Sequence, residues 1–195
     1  MTSLQSYPVV ILAYVLCHGL TALLITPLQN QLFPDVTLFA SLLYLPHGVR
    51  VLSAWLLGWR AFPPLCLGAA ASEVLFTPAE FGSITDPVLI ASIAIGASSA
   101  LVAFEVFRLV GRPLYAGRER RVDWRALLLV GVLASVLNSV GQAFVFSDRI
   151  LPDHMASIVA TYAAGDLLGL VVTTLGLMMV FRWMRIARQL NGASR

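Results

Sequence analysis

Six polar side chains fall within stretches of sequence that are otherwise apolar, and they are the best candidates for chemistry. Two can be cations, two are carboxylic acids and two are amides: Arg50 and His47, Glu73 and Asp166, Asn138 and Gln142. An ionisable side chain inside a membrane costs about 3 kcal/mol unless it is paired or faces water, so each is a candidate for binding or for an ion pair. Together they could hold a small polar or anionic ligand by charge and hydrogen bonding.

The spacing of these residues suggests how they meet. Asn138 and Gln142 are four residues apart and share a helix face with Ser135, so we expect this polar stripe to face the interior of a helical bundle. Arg50 is the only cation predicted near the membrane centre, and we expect Asp166 or Glu73 to pair with it. Two interpretations follow: a sealed ion pair that fixes helix packing, or a pocket open to the outer side that binds a ligand.

No motif of enzyme chemistry is present in the chain. We find no nucleophile elbow, zinc-protease helix, phosphate-binding loop or dinucleotide fingerprint, and therefore predict a protein that is not an enzyme and has no metal site or cofactor. Cys17 and Cys66 lack Cys-x-x-Cys spacing and are expected to be apolar fillers. His18 and His47 lie at similar depths in adjacent predicted spans, which leaves a bis-histidine haem as an alternative to simple hydrogen bonding.

The elements that position these residues must be membrane helices. The chain is 58% hydrophobic and 12% charged, which is too little polar surface for a water-soluble protein of this size. Apolar stretches near the ~20 residues that cross a bilayer predict an all-α polytopic bundle of about six transmembrane helices in a single domain, 1–195. The predicted spans are 8–28, 38–58, 62–77, 88–110, 126–147 and 156–183. Pro46 and Gly48 predict a kink or unwinding beside Arg50, where we expect a cavity.

The arginines give the orientation, because the chain has no lysine and all 13 basic residues are arginines. One group lies between the fourth and fifth spans, namely Arg112, Arg118, Arg120, Arg121 and Arg125, and a second group follows the sixth span. The positive-inside rule makes both groups cytoplasmic, with both termini inside a bacterial inner membrane. We expect the first group to contact anionic lipid or a cytoplasmic or membrane protein partner. Nucleic-acid binding is not expected, because no aromatic residues are interleaved with the arginines.

Three short motifs follow one another along the chain: Leu45-Pro46-His47-Gly48-Val49-Arg50, Gly58-Trp59-Arg60-Ala61-Phe62-Pro63 and Gly165-Asp166-Leu167-Leu168-Gly169. In this order they resemble the membrane-associated sensor domain of the first MASE type, over about residues 8–183. The chain has Leu45 and Glu73 where that family usually has Trp and Asn. The resemblance implies an inner-membrane sensor of the kind that precedes cyclase, phosphodiesterase or kinase output domains. Since only residues 184–195 follow the last span, we expect signalling through a separate partner.

We therefore expect a non-catalytic integral membrane protein that senses or binds a small ligand and signals through a partner. One alternative is the substrate-binding subunit of a vitamin transporter of the energy-coupling-factor type. Another is a structural or assembly subunit of a membrane complex. A pocket beside Arg50 would favour the two ligand-binding alternatives over the structural one. Glu105 and Arg108, three residues apart near the end of the fourth span, are expected to form a local ion pair.

Overall fold

The computed structural model describes residues 3–32, 41–77, 84–116, 124–146 and 155–193, and all regular structure within these ranges is helical. Helix α1 (Ser3–Leu20) continues through a π-helical turn (Thr21–Ile25) into α2 (Thr26–Leu32). Helix α3 (Pro46–Leu57) ends in a 3-10 turn (Gly58–Ala61) that leads into α4 (Phe62–Phe76). The remaining helices are α5 (Pro87–Leu109), α6 (Trp124–Val145) and α7 (Met155–Ala193).

Within the described ranges, four helical stretches are long and apolar enough to cross a membrane: Ser6–Leu32, Pro87–Leu109, Trp124–Val145 and Val159–Val180. Large leucine and valine side chains on these helices are exposed, including Leu23 at 69% and Leu129 at 53%. Such a surface suits a hydrocarbon solvent and not water. The all-α membrane fold predicted from composition is confirmed at this level.

The predicted second span, 38–58, is only partly a helix. Residues 41–45 are irregular, α3 begins at Pro46, and residues 38–40 lie outside the described ranges. Proline has no N–H group, and its ring clashes with the carbonyl four residues earlier, so Pro46 can start a helix but cannot sit inside one without distorting it. The expected kink is therefore a true helix start, one turn before Arg50.

Neighbouring helices satisfy the backbone of this irregular segment. The Tyr44 N–H donates to the Gly165 carbonyl at 3.0 Å, and the Leu45 N–H donates to the Thr21 hydroxyl at 3.3 Å. In return, the Thr173 hydroxyl donates to the Leu45 carbonyl at 3.1 Å. Irregular backbone at membrane depth requires such partners, since lipid offers none.

Two glycines of α7 allow the irregular segment to pack closely against that helix. A β-carbon at Gly165 would overlap the carbonyl oxygen of Ser41, and one at Gly169 would overlap that of Tyr44. The glycines are four residues apart and lie on one face of α7. The two glycines of the Gly165-Asp166-x-x-Gly169 motif thus form a groove on α7 that holds the irregular segment. Asp166 lies beside this groove.

The short helix α3 lies at the centre of the bundle. It contacts α1, α5, α6 and α7, and every residue from Pro46 to Ala54 is buried. Helix α4 packs against α1 and α5, and α5 packs against α6. A short helix is tolerated here because protein covers it on several sides.

At the end of α5, Glu105 and Arg108 form the predicted ion pair, with 2.5 Å between Oε2 and Nη2. The Tyr115 hydroxyl donates to Glu105 Oε1 at 2.6 Å, and the Ala116 N–H donates to the Trp55 carbonyl of α3 at 3.0 Å. Burial first, and then the neighbouring Glu105 carboxylate, raises the pKa of Tyr115. The segment after α5 therefore folds back onto the end of α3.

Candidate functional site: a polar cavity within the bundle

A cavity of about 560 Å³ lies among α1, the irregular segment 41–45 and helices α3 to α7. Five of the six predicted site residues line it, coming from four helices: Arg50, Glu73, Asn138, Gln142 and Asp166. Its volume falls in the range of small-molecule pockets, about 300 to 1,000 Å³. The structure thus brings together residues that are up to 116 positions apart in the chain.

His47, the sixth predicted residue, does not line the cavity. It is fully buried behind the wall, with Nε2 3.3 Å from the Gly131 carbonyl oxygen and Nδ1 3.4 Å from Asp166 Oδ2. Both ring nitrogens therefore face protein oxygens and are not directed to a haem iron. Within the described residues Nδ1 makes no hydrogen bond, so His47 approaches the Asp166 carboxylate without being bonded to it.

Asp166 is the acceptor at the deep end of a chain of amides. The Asn138 amide donates to Asp166 Oδ2 at 2.7 Å, and the Gln142 amide lies 3.4 Å from Asn138 Oδ1. Gln142 also donates to the Ser92 carbonyl at 3.0 Å and accepts from the Ser92 hydroxyl at 2.8 Å. Ser135, Asn138 and Gln142 are all buried, so the predicted inward-facing stripe on α6 is confirmed.

The expected ion pair of Arg50 with Asp166 or Glu73 is not formed. Among the described residues, no carboxylate oxygen lies within 4 Å of the Arg50 guanidinium, although Asp166 acts on it electrostatically. Arg50 Nη2 instead donates to the Tyr14 hydroxyl at 2.8 Å and lies 3.4 Å from the Tyr44 hydroxyl. A tyrosine offers both an acceptor oxygen and a negative ring face to a desolvated cation, and the prediction considered only carboxylates.

The two tyrosine rings flank the guanidinium. Its central carbon lies 5.7 Å from the Tyr14 ring centroid and 5.2 Å from that of Tyr44, within the range of cation–π contact. On another side lies Gly96 of α5, where a β-carbon would fall only 2.5 Å from Nη2. Glycine at position 96 therefore makes room for the cation.

Arg50 retains donors that the protein does not use. The residue is only 5% exposed, yet Nε and Nη1 are buried and have no hydrogen-bond partner among the described residues. A buried donor left unsatisfied costs about 1 to 3 kcal/mol, and more when the group is charged. A ligand acceptor would remove this cost only if the guanidinium turned toward the adjoining cavity, because neither nitrogen is exposed there.

The cavity also contains acids near the ends of α4 and α5. Glu73 lies in the last turn of α4 and accepts from the Thr77 hydroxyl at 2.6 Å. Asp86 caps the start of α5, with Oδ1 accepting from the Val88 N–H at 2.9 Å. Both carboxylates lie on the wall of the cavity. The cavity is therefore acidic at one end and has its guanidinium further in.

Aromatic residues make up much of the remaining wall, and sequence reasoning did not select them as ligand-binding residues. They are Tyr14, His18, Tyr44, Phe146 and Tyr162. The His18 ring stacks on Phe76, with centroids 5.9 Å apart. The available signal was a tyrosine hydroxyl in an apolar span, since such a hydroxyl needs a partner when it is buried.

The predicted arginine surface is described only in part. Arg112 and Arg125 are exposed, on either side of the residues that carry Arg118, Arg120 and Arg121, which lie outside the described ranges. In the portions of the chain with known placement, no group of three or more His, Cys, Asp or Glu side chains could hold a metal ion.

Comparison with known proteins adds no relative. No family model matches the sequence, and neither a curated protein nor a solved structure matches it. The functional argument therefore rests on the geometry of the cavity.

Proposed function

We propose that this chain is a non-catalytic membrane sensor that binds a small polar ligand in the cavity and signals through a partner protein. The observation that carries the proposal is the convergence of Arg50, Asp166 and the two α6 amides on one cavity wall. A charged side chain inside a membrane costs free energy. Ligand binding in the cavity beside Arg50, which has unused donors, would explain why the charged side chains are there. A purely structural subunit needs no such void.

In this proposal the bundle has six spans, with 41–57 and α4 crossing the membrane beside the four long helices. Both termini lie in the cytoplasm of a bacterial cell, as the arginine groups indicate. The cavity then opens to the outer side, because its lining includes Thr77, Asp86 and Phe146, at the ends of α4, α5 and α6 that are away from the arginine loop. We use that name for residues 117–123, which carry Arg118, Arg120 and Arg121. The ligand would arrive from outside the inner membrane.

A contact at the opposite end suggests how binding is transmitted. Arg50 and Trp55 are both on α3, and the Trp55 carbonyl accepts from the Ala116 N–H, just before the arginine loop. A shift of α3 on ligand binding would therefore move the start of that loop. The exposed Arg112 and Arg125 flank the loop and offer contacts to anionic lipid or to an acidic partner surface. The resemblance to the first MASE type supports the same role.

The transporter alternative has one observation in its favour. Transporters commonly bind substrate beside a helix that is interrupted within the membrane, and Pro46 interrupts the second predicted span next to the cavity. A substrate-binding subunit would co-purify with an ATPase module from mild detergent. A sensor would not.

The cellular test compares variants that block the cavity with deletion of the gene. Arg50→Ala removes the central cation, and Ser92→Trp fills the cavity from α5; Leu129→Trp, on an exposed face of α6, is the control. We expect the first two variants to accumulate in the membrane and to reproduce the transcriptional changes of the deletion strain, while the control behaves as wild type. The proposal would be refuted if both cavity variants accumulated in the membrane and gave a wild-type transcript profile. Loss of both variants from the membrane would show that the side chains at these positions have a structural role instead.

A further inference from the structure

The cavity separates its charges along its length, and this separation bears on the class of ligand, given the function proposed above. Glu73 lies three residues before the end of α4, at the proposed outer mouth. Arg50 lies four residues after the start of α3, which begins inside the bundle. His18 of α1 lines the same cavity as these two charged residues.

Two charged side chains lie in the deep part of the cavity, Asp166 and Arg50, and they differ in how far the protein already engages them. Asp166 is already held by the Asn138 amide at 2.7 Å and approached by His47, so it is engaged with the protein. In the described part of the chain, Arg50 has only hydroxyl partners, and its Nε and Nη1 have none. Arginine donates charge-assisted hydrogen bonds to carboxylates, and the guanidinium would turn toward the cavity to bring Nε or Nη1, both now covered by protein, to a ligand oxygen.

The charge at the mouth is negative and lacks a counterion. In the described part of the chain, no arginine or histidine nitrogen lies within 4 Å of the Glu73 carboxylate, whose donor is the Thr77 hydroxyl. Phe146, which directly follows α6, also lines the cavity, and aromatic faces attract ammonium groups. An ammonium group is thus favoured at the end opposite to Arg50.

We propose that the cavity binds a zwitterion of the amino-acid or small-peptide class, with its carboxylate on Arg50 and its ammonium group near Glu73. A simple anion would meet Arg50 but leave the Glu73 charge unpaired. A simple cation would pair with Glu73 but leave the Arg50 donors unused. The volume of about 560 Å³ accommodates an amino acid or a dipeptide with an aromatic side chain.

The test uses matched probes at two sizes, titrated calorimetrically into the full chain in lipid nanodiscs. The small set is phenylalanine, 3-phenylpropionate, which lacks the amine, and phenethylamine, which lacks the carboxylate. The larger set is glycylphenylalanine, N-acetylphenylalanine and glycine phenethylamide. We expect the zwitterion of at least one set to bind about tenfold or more tightly than both of its analogues, because each analogue loses one charged contact. Equal or tighter binding of an analogue in both sets overturns the proposal, and so does the absence of binding by all six probes.

Charge variants test the orientation of the zwitterion. Glu73→Gln should weaken phenylalanine binding and reduce the preference for phenylalanine over 3-phenylpropionate. Arg50→Gln should reduce the preference over phenethylamine. Glu105→Gln, which removes a carboxylate at the opposite end of α5, is the control and should change neither preference. Unchanged preferences in both cavity variants would overturn the proposed orientation.

The sensory role and the zwitterion class of ligand can be refuted independently of each other. Wild-type binding of an anion or a cation alone, abolished by Ser92→Trp, would overturn the zwitterion class while supporting a ligand-binding cavity. A zwitterion that binds as expected, in a chain whose cavity variants leave the transcript profile unchanged, would support the class and refute the sensory role.

Discussion

The guanidinium of Arg50 donates to the hydroxyl of Tyr14, 2.8 Å away, across the contact between α3 and α1. This bond holds a buried cation without using a carboxylate. Asp166 accepts from the amide of Asn138, and Arg50 Nε and Nη1 have no partner among the residues whose placement is known. The polar residues beside the cavity therefore form two hydrogen-bonded groups, one around Arg50 and one around Asp166, and not an ion pair between these two residues.

Removing the Tyr14 hydroxyl should destabilise the bundle. In Tyr14→Phe, Arg50 Nη2 keeps only the longer approach to Tyr44, so we expect the free energy of unfolding to fall by about 1 to 3 kcal/mol. Unfolding by SDS in mixed micelles measures this change. Tyr7→Phe, in the first turns of α1 and away from the cavity lining, is the matched control and should change stability by less than about 0.5 kcal/mol. Equal effects of the two variants would mean that the hydroxyl is not an effective partner.

Asn138 and Asp166 should be energetically coupled, because their side chains meet at 2.7 Å in a buried site. In a double-mutant cycle of Asn138→Ala and Asp166→Ala, we expect the combined loss of stability to differ from the sum of the single losses by about 0.5 to 3 kcal/mol. The same unfolding assay gives all four corners of the cycle. Additive losses would show that the amide does not stabilise the carboxylate.

Gly169 should not tolerate alanine. The new β-carbon would overlap the Tyr44 carbonyl, which is backbone and cannot rotate away, so we expect a loss of about 3 kcal/mol or more. Gly176, seven residues later on the same helix, serves as the control, because a β-carbon there would meet no neighbouring atom within 4 Å. Gly176→Ala should be neutral or slightly stabilising, since alanine favours a helix. Fluorescence-detected thermal unfolding compares the two, and similar melting temperatures would contradict the proposed groove.

Alkaline pH should weaken the contact at the end of α5. The folded-state pKa of Tyr115 is raised above its ordinary value of about 10, because of burial and then the Glu105 carboxylate. A raised pKa means that the folded state holds the proton more tightly, so stability is intact below pH ~10 and falls as pH rises above it. Thermal unfolding between pH 8 and 11 should show this fall, and Tyr115→Phe should make it smaller. An equal fall in the variant would assign the pH dependence to other groups.

Five polar residues of the cavity were predictable, and their partners were not. Arg50, Glu73, Asn138, Gln142 and Asp166 were selected because polar groups in apolar spans need a reason to be there, and all five line the cavity. His47 met the same criterion but lies behind the wall. Which side of a wall a residue occupies depends on how helices rotate against one another, and hydropathy does not contain that information.

The sequence by itself determined the helical membrane character and the inward face of α6, because hydropathy and helix periodicity are local properties of the chain. Tertiary structure decided that the Tyr14 hydroxyl, and not a carboxylate, accepts a hydrogen bond from Arg50. Likewise, it decided that Gly96 makes room for the Arg50 guanidinium. It also decided that the segment before Pro46 lies in a groove on α7. Each of these depends on which surfaces meet across distant parts of the chain, and close packing resolves that choice only when all the helices are in place.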